Sequence, residues 1–388
     1  MRKMPPRHLF GEAELAAVQD VFEHAWERGV DFGYQGEFES AYTDDFCAFQ
    51  GGGYADAVCT GTASILVGLT ALDLPQNSEI LVSPVTDPGG ISPALFLGYT
   101  LTIADSEPGT FNVGPAEFEA ALTPQTRGAL ITHMGGFPAR MDEILEVARK
   151  HNVKVLEDCS QAHGAMYNGR KVGTFGDVAA FSTMFSKNHA SGGCGGLVYS
   201  NDKNLYERIR SISDRGKKFF CDDFDPKDPA QTVFAALNLN QDELSCAIGR
   251  STLKRLPEII KQRVAVADLI AEGLNEIPGL YVHPPQANSM PSYFFQTVCV
   301  DEAELGVSKH VFTDRLSSKG VWLNPDYKFT VQDWPWAIKS ATGSMVTPNA
   351  KAFRSNSFNL LFHENFDEND VAFIVAMTHE AILEAHKD

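Results

Sequence analysis

From residue 57 to residue 200 short apolar runs alternate with helical patterns, and few folds accommodate that alternation. Ala57 to Cys59 reads as a strand, and Gly61-Thr62 then opens an apolar helix to about Leu72. Glu79 to Ser83 and Leu101 to Ala104 read as strands, and Pro115 to Leu122 as a helix. GALITH (128–133) is a buried strand, RMDEILEVARKHN (140–152) an amphipathic helix, and VKVLED (153–158) a strand ending in an acid. VAAFST (178–183) and GLVYS (196–200) are two further strands. Apolar strands separated by helices predict an α/β fold with a mainly parallel sheet covered on both faces. Residues 11–29 and 37–49 add two helical patterns ahead of the sheet, the first ending at a glycine.

The pattern changes near residue 240. Residues 242–256 and 257–277 form two long helical patterns, followed by short strands (279–283, 294–300) and helices (308–318, 368–386). A chain of 388 residues is long for one core. Two domains are therefore expected: a large one over 1–240, with its N-terminal helical segment, and a smaller α+β one over 241–388. The helix near 257–277 connects them.

The balance of 32 basic against 50 acidic residues gives a net charge of −18. Such a surface repels phosphate backbones and anionic lipid, which argues against nucleic acid and membrane as partners. The seven cysteines are scattered and no pair has CxxC spacing, so neither a zinc site nor a dithiol centre is expected and no metal is assigned. Reduced thiols, no secretory pattern behind MRKMPPRHLFGEAEL and no bilayer-length apolar run point to a cytoplasmic protein.

Four segments carry the chemistry: CTGTAS (59–64), LEDCSQAHGA (156–165), GTFGDVAAFSTMFSKNHASGGCGG (173–196) and NLNQDELSCA (238–247). In the first, a strand gives way to a helix through Gly61, and amides at a helix N-terminus form an anion cradle. Thr62 can cap that helix and offer a hydroxyl; a plain capped βα turn is the alternative. Asp158 ends an apolar strand at the sheet edge where α/β ligands bind, placed to pair with a protonated ring nitrogen or to act as an N-cap for the next turn of chain. Lys187 follows a strand and precedes a glycine-rich turn; burial lowers a lysine pKa, and the neutral amine forms Schiff bases. Ser182, five residues earlier, offers a second hydroxyl. GGCGG lacks the GxGxxG spacing of a dinucleotide loop, which sets aside a dehydrogenase. The basic cluster at Arg215, Lys217 and Lys218 reads as a solvated surface patch or as a contact for an anionic substrate.

Together these segments resemble the DegT/StrS type of sugar aminotransferase, within the fold-type I pyridoxal-phosphate enzymes. EDCSQAHGAMYNGRKVGTFGD (157–177) is similar to the family's "EDaaQAhGA…GrkvGtfGD", and FSTMFSKNHASGGCGG (181–196) to "FSF…tKN…GGG". CTGTASI and NLNQDELSCAIGRSTLKRLPEII (238–260) resemble two further family segments. The resemblance implies a seven-stranded sheet and pyridoxal phosphate held covalently by Lys187. It implies that Asp158 faces the ring nitrogen, that Gln161 contacts the ring or its hydroxyl, and that Gly61, Thr62, Ala63 and Ser182 hold the phosphate. Asn240, or else Asn238, reaches the phosphate of a neighbouring subunit, which implies a homodimer with shared sites.

Three departures stand out. SPVTDPGG (83–90) puts Asp87 where the family has an aromatic stacking on the cofactor, so this acid can meet a substrate amine or hydroxyl instead. Asn240 takes the place of a family arginine. VDFGYQGEF (30–38) replaces the segment that lines the sugar pocket, which makes Phe32, with His163, a candidate substrate contact. The implied reaction is ping-pong transfer of an amino group from glutamate or glutamine to a nucleotide-linked keto-sugar or a keto-cyclitol. Sugar dehydratases of the family replace the lysine by histidine. His189 lies two residues on from Lys187, so a dehydratase is one alternative; a silent regulatory or scaffold relative is the other.

Overall fold

The computed structural model describes residues 4–218, 220–221, 223–225, 227–343 and 345–386. Two helices, α1 (Glu12–Arg28) and α2 (Glu37–Gln50), lead into a seven-stranded sheet. Its strands are β1 (Tyr54–Val58), β2 (Glu79–Val82), β3 (Thr100–Ile103), β4 (Thr126–Thr132), β5 (Lys154–Asp158), β6 (Val178–Ser182) and β7 (Gly196–Ser200). They lie in the order β1-β7-β6-β5-β4-β2-β3. β6, β5, β4, β2 and β3 are parallel, whereas β7 runs antiparallel to both its neighbours. The middle strands are buried along nearly their whole length, as expected of a sheet covered on both faces. One face packs on α3 (Gly61–Ala71) and α4 (Pro88–Phe96), the other on α5 (Pro115–Ala121) and α6 (Met141–Lys150).

The sequence reading differs from the fold in four places. β1 starts at Tyr54, three residues earlier than expected, because the acid in its middle is neutralised. Asp56 is buried, paired with Arg210 at 3.1 Å and accepting a hydrogen bond from the Ser213 hydroxyl at 2.5 Å. The cap of α3 is Thr60, whose hydroxyl accepts from the Ala63 amide at 2.9 Å; Thr62 stands inside the first turn. Helix α4 falls on a Pro-Gly-Gly run for which no helix was expected; Asp87 caps it through the Gly89 amide, and Pro88 suits the first turn. The two helical patterns around Pro257 form one 33-residue helix, α8 (Glu243–Asn275), reached after α7 (Lys203–Ser213). Pro257 removes one backbone bond, but Leu253, Leu256, Ile259 and Ile260 are buried on both sides of it, and that packing carries the helix through.

Beyond α8 a second, antiparallel sheet of four strands forms: β8 (Leu280–Val282), β9 (Gln296–Val300), β10 (Leu323–Asn324) and β11 (Ser357–Leu360), in the order β8-β9-β11-β10. Its core joins Val298, Phe358 and Leu360 to Ile270 of α8 and Ile374 of the last helix, and it also takes in Met4 from the N-terminal segment. Among the described residues no helix is long and apolar enough to cross a membrane.

Candidate active site

A cavity of about 260 Å³ lies at the carboxyl ends of the parallel strands. Thr132, Asp158 and Ser182 reach it from the ends of β4, β5 and β6. The first turns of α3 and α4 converge on it from the side, bringing Thr60, Gly61, Thr62, Asp87, Gly89 and Gly90. This is the sheet edge where open α/β folds bind ligands. Lys187 enters from the irregular loop that links β6 to β7.

The glycines are there because the elements touch. A Cβ on Gly61 would stand 2.5 Å from Ser182 Cβ, and one on Gly89 2.4 Å from Thr62 Oγ1. A Cβ on Gly90 would lie 2.6 Å from Thr86 Oγ1 and 3.3 Å from Asp158 Oδ2. At the start of α3 the Gly61 and Thr62 amides have no place in the helical ladder. Beside the Thr62 and Ser182 hydroxyls, these are donors of the kind that suit an anion.

Asp158 is buried, with Oδ1 accepting the Ser160 amide at 3.0 Å. Burial pushes its carboxyl up, against the pull of the Ser160 bonds and of Lys187. The strand end is fixed from below: the His133 amide donates to the Asp158 carbonyl at 3.1 Å. His133 Nδ1 accepts from the Ala139 amide at 3.0 Å, so Nε2 carries the proton given to Glu157 at 3.0 Å. Glu157 also accepts from three amides, those of Gly173, Phe175 and Gly176. Cys159 lies within ligand distance of this pair, but the donor atoms of His133 and Glu157 are already committed to one another and to backbone.

Burial lowers the Lys187 amine, with Asp158 and then Asp87 pulling the other way. The amine stands 4.8 Å from the centre of the Phe294 ring. Gln161 is pinned, accepting from the Gly135 amide at 2.9 Å and donating to the Tyr327 hydroxyl at 3.2 Å.

Of the residues expected from sequence, Gly61, Thr62, Asp87, Asp158, Gln161, Ser182 and Lys187 line this one cavity. Ala63 stands beside it, its amide taken by Thr60. His163 is buried beneath, donating from Nε2 to the Ser182 carbonyl at 2.8 Å. Asn240 and Phe32 do not line it. Asn240 accepts from Gln35 at 2.9 Å and donates to Asn238 at 2.7 Å, and Phe32 lines a separate groove between α1 and α2. Arg215 and Lys217 are both paired with Asp214, at 2.6 and 2.8 Å. His189 is fully buried between the Tyr42 hydroxyl (2.7 Å) and Thr252 (2.9 Å), away from the cavity. Of the two, Lys187 lines the cavity and His189 does not. Sequence reasoning missed Thr60, Phe294 and Tyr327. A threonine just before an apolar helix is a capping signal that points to Thr60; the two aromatics lie over 100 residues from Lys187 and leave no local signal.

These residues fit pyridoxal phosphate: a hydroxyl-and-amide cradle for the phosphate, a buried carboxylate for the ring nitrogen and one amine for the aldehyde. Comparison with known proteins agrees. The chain is 30% identical over 358 residues to a putative L-glutamine:3-amino-2,3-dideoxy-scyllo-inosose aminotransferase of Streptoalloteichus tenebrarius, covering 89% of this chain and 84% of that one. It is 28% identical over 385 residues to the spore coat polysaccharide biosynthesis protein SpsC of Bacillus subtilis, covering 96% and 95%. The crystal structure of an aminotransferase from Psychrobacter cryohalolentis superposes with a TM-score of 0.89 at 27% identity, over 98% of this chain and 99% of that one. The architecture is that of the fold-type I aminotransferases. The profile of one family spans residues 10–378, a stretch that includes every group lining the cavity; the chain belongs to the DegT/DnrJ/EryC1/StrS aminotransferase family.

Proposed function

We propose that this chain is a pyridoxal-phosphate aminotransferase that moves an amino group from glutamate or glutamine to a keto-sugar or keto-cyclitol. The observation that carries the reading is the meeting, in one cavity, of Lys187, Asp158 and the first turn of α3. The cyclitol named for the Streptoalloteichus relative and the polysaccharide named for the Bacillus relative support the acceptor class.

When bound, the cofactor spreads the charge left on a substrate carbon after proton loss. The protein does the rest. Gly61, Thr62 and Ser182 would hold the phosphate, with the Ser182 carbonyl anchored by His163. Asp158 would face the ring nitrogen. With pyridoxal phosphate bound, a ring N–H would be the cationic partner of this buried carboxylate. Gln161 cannot rotate, so the group it presents to the ring is fixed. The Lys187 amine would serve as the base that takes the proton from the substrate carbon and as the acid that gives it back. Its lowered pKa leaves more of the amine unprotonated for this work. Asp87, exposed at the start of α4, is placed to meet a substrate amine or hydroxyl.

We read residues 1–240 as the cofactor-binding unit and 241–388 as the smaller unit, joined by α8. We read the working form as a cytoplasmic homodimer. Leu15, Phe22 and Trp26 are exposed at helical spacing along α1 (61, 37 and 74%), which suits burial against a second copy. Asn240 and Phe32, which do not line the cavity of their own chain, suit a site shared with a partner. Seven unpaired cysteines suit a reducing compartment. Sedimentation showing a monomer at micromolar concentration would remove the shared-site reading.

The deciding experiment is a half-reaction screen. Protein loaded with the aminated cofactor is mixed with keto-sugars and keto-cyclitols, and the return of the yellow band is followed. Lys187→Ala is expected to lose that band and at least about 10³-fold in rate. A band that survives in this variant, or a protein inert to every ketone of both classes, defeats the reading.

A further inference from the structure

We propose that Arg7 is a positioning residue for Lys187, acting together with Arg263 through one shared buried carboxylate, that of Glu364. The inference rests on the assignment of Lys187 as the cofactor-bearing amine.

Lys187 has to swing its amine between two tasks while its backbone stays still. Yet residues 183–195 form no helix or strand. Something outside the loop must hold it. Arg7 does so from the N-terminal segment: its Nη1 donates to the Lys187 carbonyl at 2.8 Å and to the Ser186 carbonyl at 3.1 Å. Its Nε donates to Glu364 Oε1 at 2.9 Å. The other oxygen of Glu364 accepts from Arg263 Nε at 3.0 Å. Arg263, 2% exposed within α8, donates its Nη1 to the carbonyls of Tyr293 (2.8 Å) and Phe362 (3.2 Å).

Tyr293 sits at φ +43°, a conformation that costs a non-glycine residue and persists where its surroundings impose it. The next residue, Phe294, is the ring facing the Lys187 amine. The two guanidiniums thus fix the two loops that define the lysine's position, one by its backbone and one by the aromatic against it. Asn188 ties the same loops a second time, its amide donating to the Ser292 carbonyl at 2.8 Å.

The N-terminal segment is itself gripped by the His363-Glu364-Asn365 run just after β11. His363 Nε2 donates to the Pro5 carbonyl at 2.8 Å, and Asn365 Nδ2 to the Arg7 carbonyl at 2.5 Å. Arginine suits this task and lysine does not, because a planar fork reaches a carboxylate and two carbonyls at once. A displacement of about 1 Å at a reacting group costs on the order of 10²-fold in rate.

The test compares Arg7→Met, Arg7→Lys and Glu364→Gln with the wild type, all loaded with pyridoxal phosphate. Four quantities are read: melting temperature, the pH titration of the yellow band, the single-turnover rate and KM with L-glutamate, and hydrogen exchange over residues 184–190. Arg7→Met is expected to slow turnover by about 10–100-fold, with KM within about threefold. It should also shift the titration midpoint and speed exchange over 184–190. Glu364→Gln should act in the same direction, and Arg7→Lys should recover part of the loss. The proposal is overturned if Arg7→Met keeps the wild-type titration and exchange, whether its rate is unchanged or falls only in step with melting temperature. Should Arg7→Met not fold, Arg7→Lys decides on the same readouts. A wild type without a yellow band refutes the cofactor assignment instead, a separate outcome from either.

Discussion

The two sides of the Lys187 environment are built differently. The sheet-side wall is made of strand ends and first helical turns: Thr132, Asp158 and Ser182 from neighbouring parallel strands, Gly61 and Thr62 from α3. Each is fixed by the hydrogen-bond ladder of the element that carries it. The opposite wall stands outside the cavity's own lining: Phe294 lies against the Lys187 amine and Tyr327 against Gln161, both from loops between strands of the second sheet, with Arg7 behind Lys187. These are held by side chains, above all Arg263, Glu364 and Gln161. A wall held by backbone tolerates little change at a few points. A wall held by side chains spreads its dependence over many contacts, so single changes there should cost less.

The sharpest way to break that contrast is at the sheet-side wall. Asp158→Asn keeps the shape and removes the charge; it should lower the rate with glutamate on the order of 10²-fold with little loss of stability. An effect below about threefold would mean that this carboxylate does not face the ring nitrogen. Gly61→Ala forces a methyl against Ser182, an overpacking cost of about 1–3 kcal/mol. Equilibrium titration should find cofactor affinity lower by roughly 10–100-fold, since 1.4 kcal/mol is tenfold. Unchanged affinity would show that the α3 turn and Ser182 do not share the phosphate.

Protonation probes both regions at once. Burial holds His163, below the sheet-side wall, and His283, near the second sheet, down to about 4 from an ordinary 6.5. The unfolded chain therefore takes up protons first as pH falls. Stability from these residues is full above about pH 6.5 and is lost on the way down to about 4, on the order of 2 kcal/mol each. Melting temperature should drop over that range, and His163→Gln should flatten part of the drop. A variant with the wild-type slope would contradict a buried neutral His163. The smallest effect is expected at the opposite wall. Tyr327→Phe removes the hydroxyl that accepts from Gln161, worth about 1 kcal/mol, and should cost no more than about fivefold in rate. A loss as large as that of Asp158→Asn would erase the difference between the walls.

Legibility followed the same division. EDCSQAHGA and FSTMFSKN lie in contiguous stretches, so Asp158, Gln161, Ser182 and Lys187 were readable along with the parallel strands that present them. Helix α4 and the continuity of α8 were not, because local rules place breaks at Pro-Gly-Gly and at Pro257, and packing overrode both. Thr62 lines the cavity but does not cap α3; Thr60 takes that role.

By itself the sequence determined the alternation of elements, the chemistry of the amine and the carboxylate, and the family to which they point, since all of these reside in short-range order along the chain. Which aromatic faces the lysine, and which arginine holds its backbone, was decided by folding alone. Arg7 stands 180 residues from Lys187 and 357 from Glu364. No local preference encodes such a meeting; it arises from how the second sheet and the N-terminal segment close over the first.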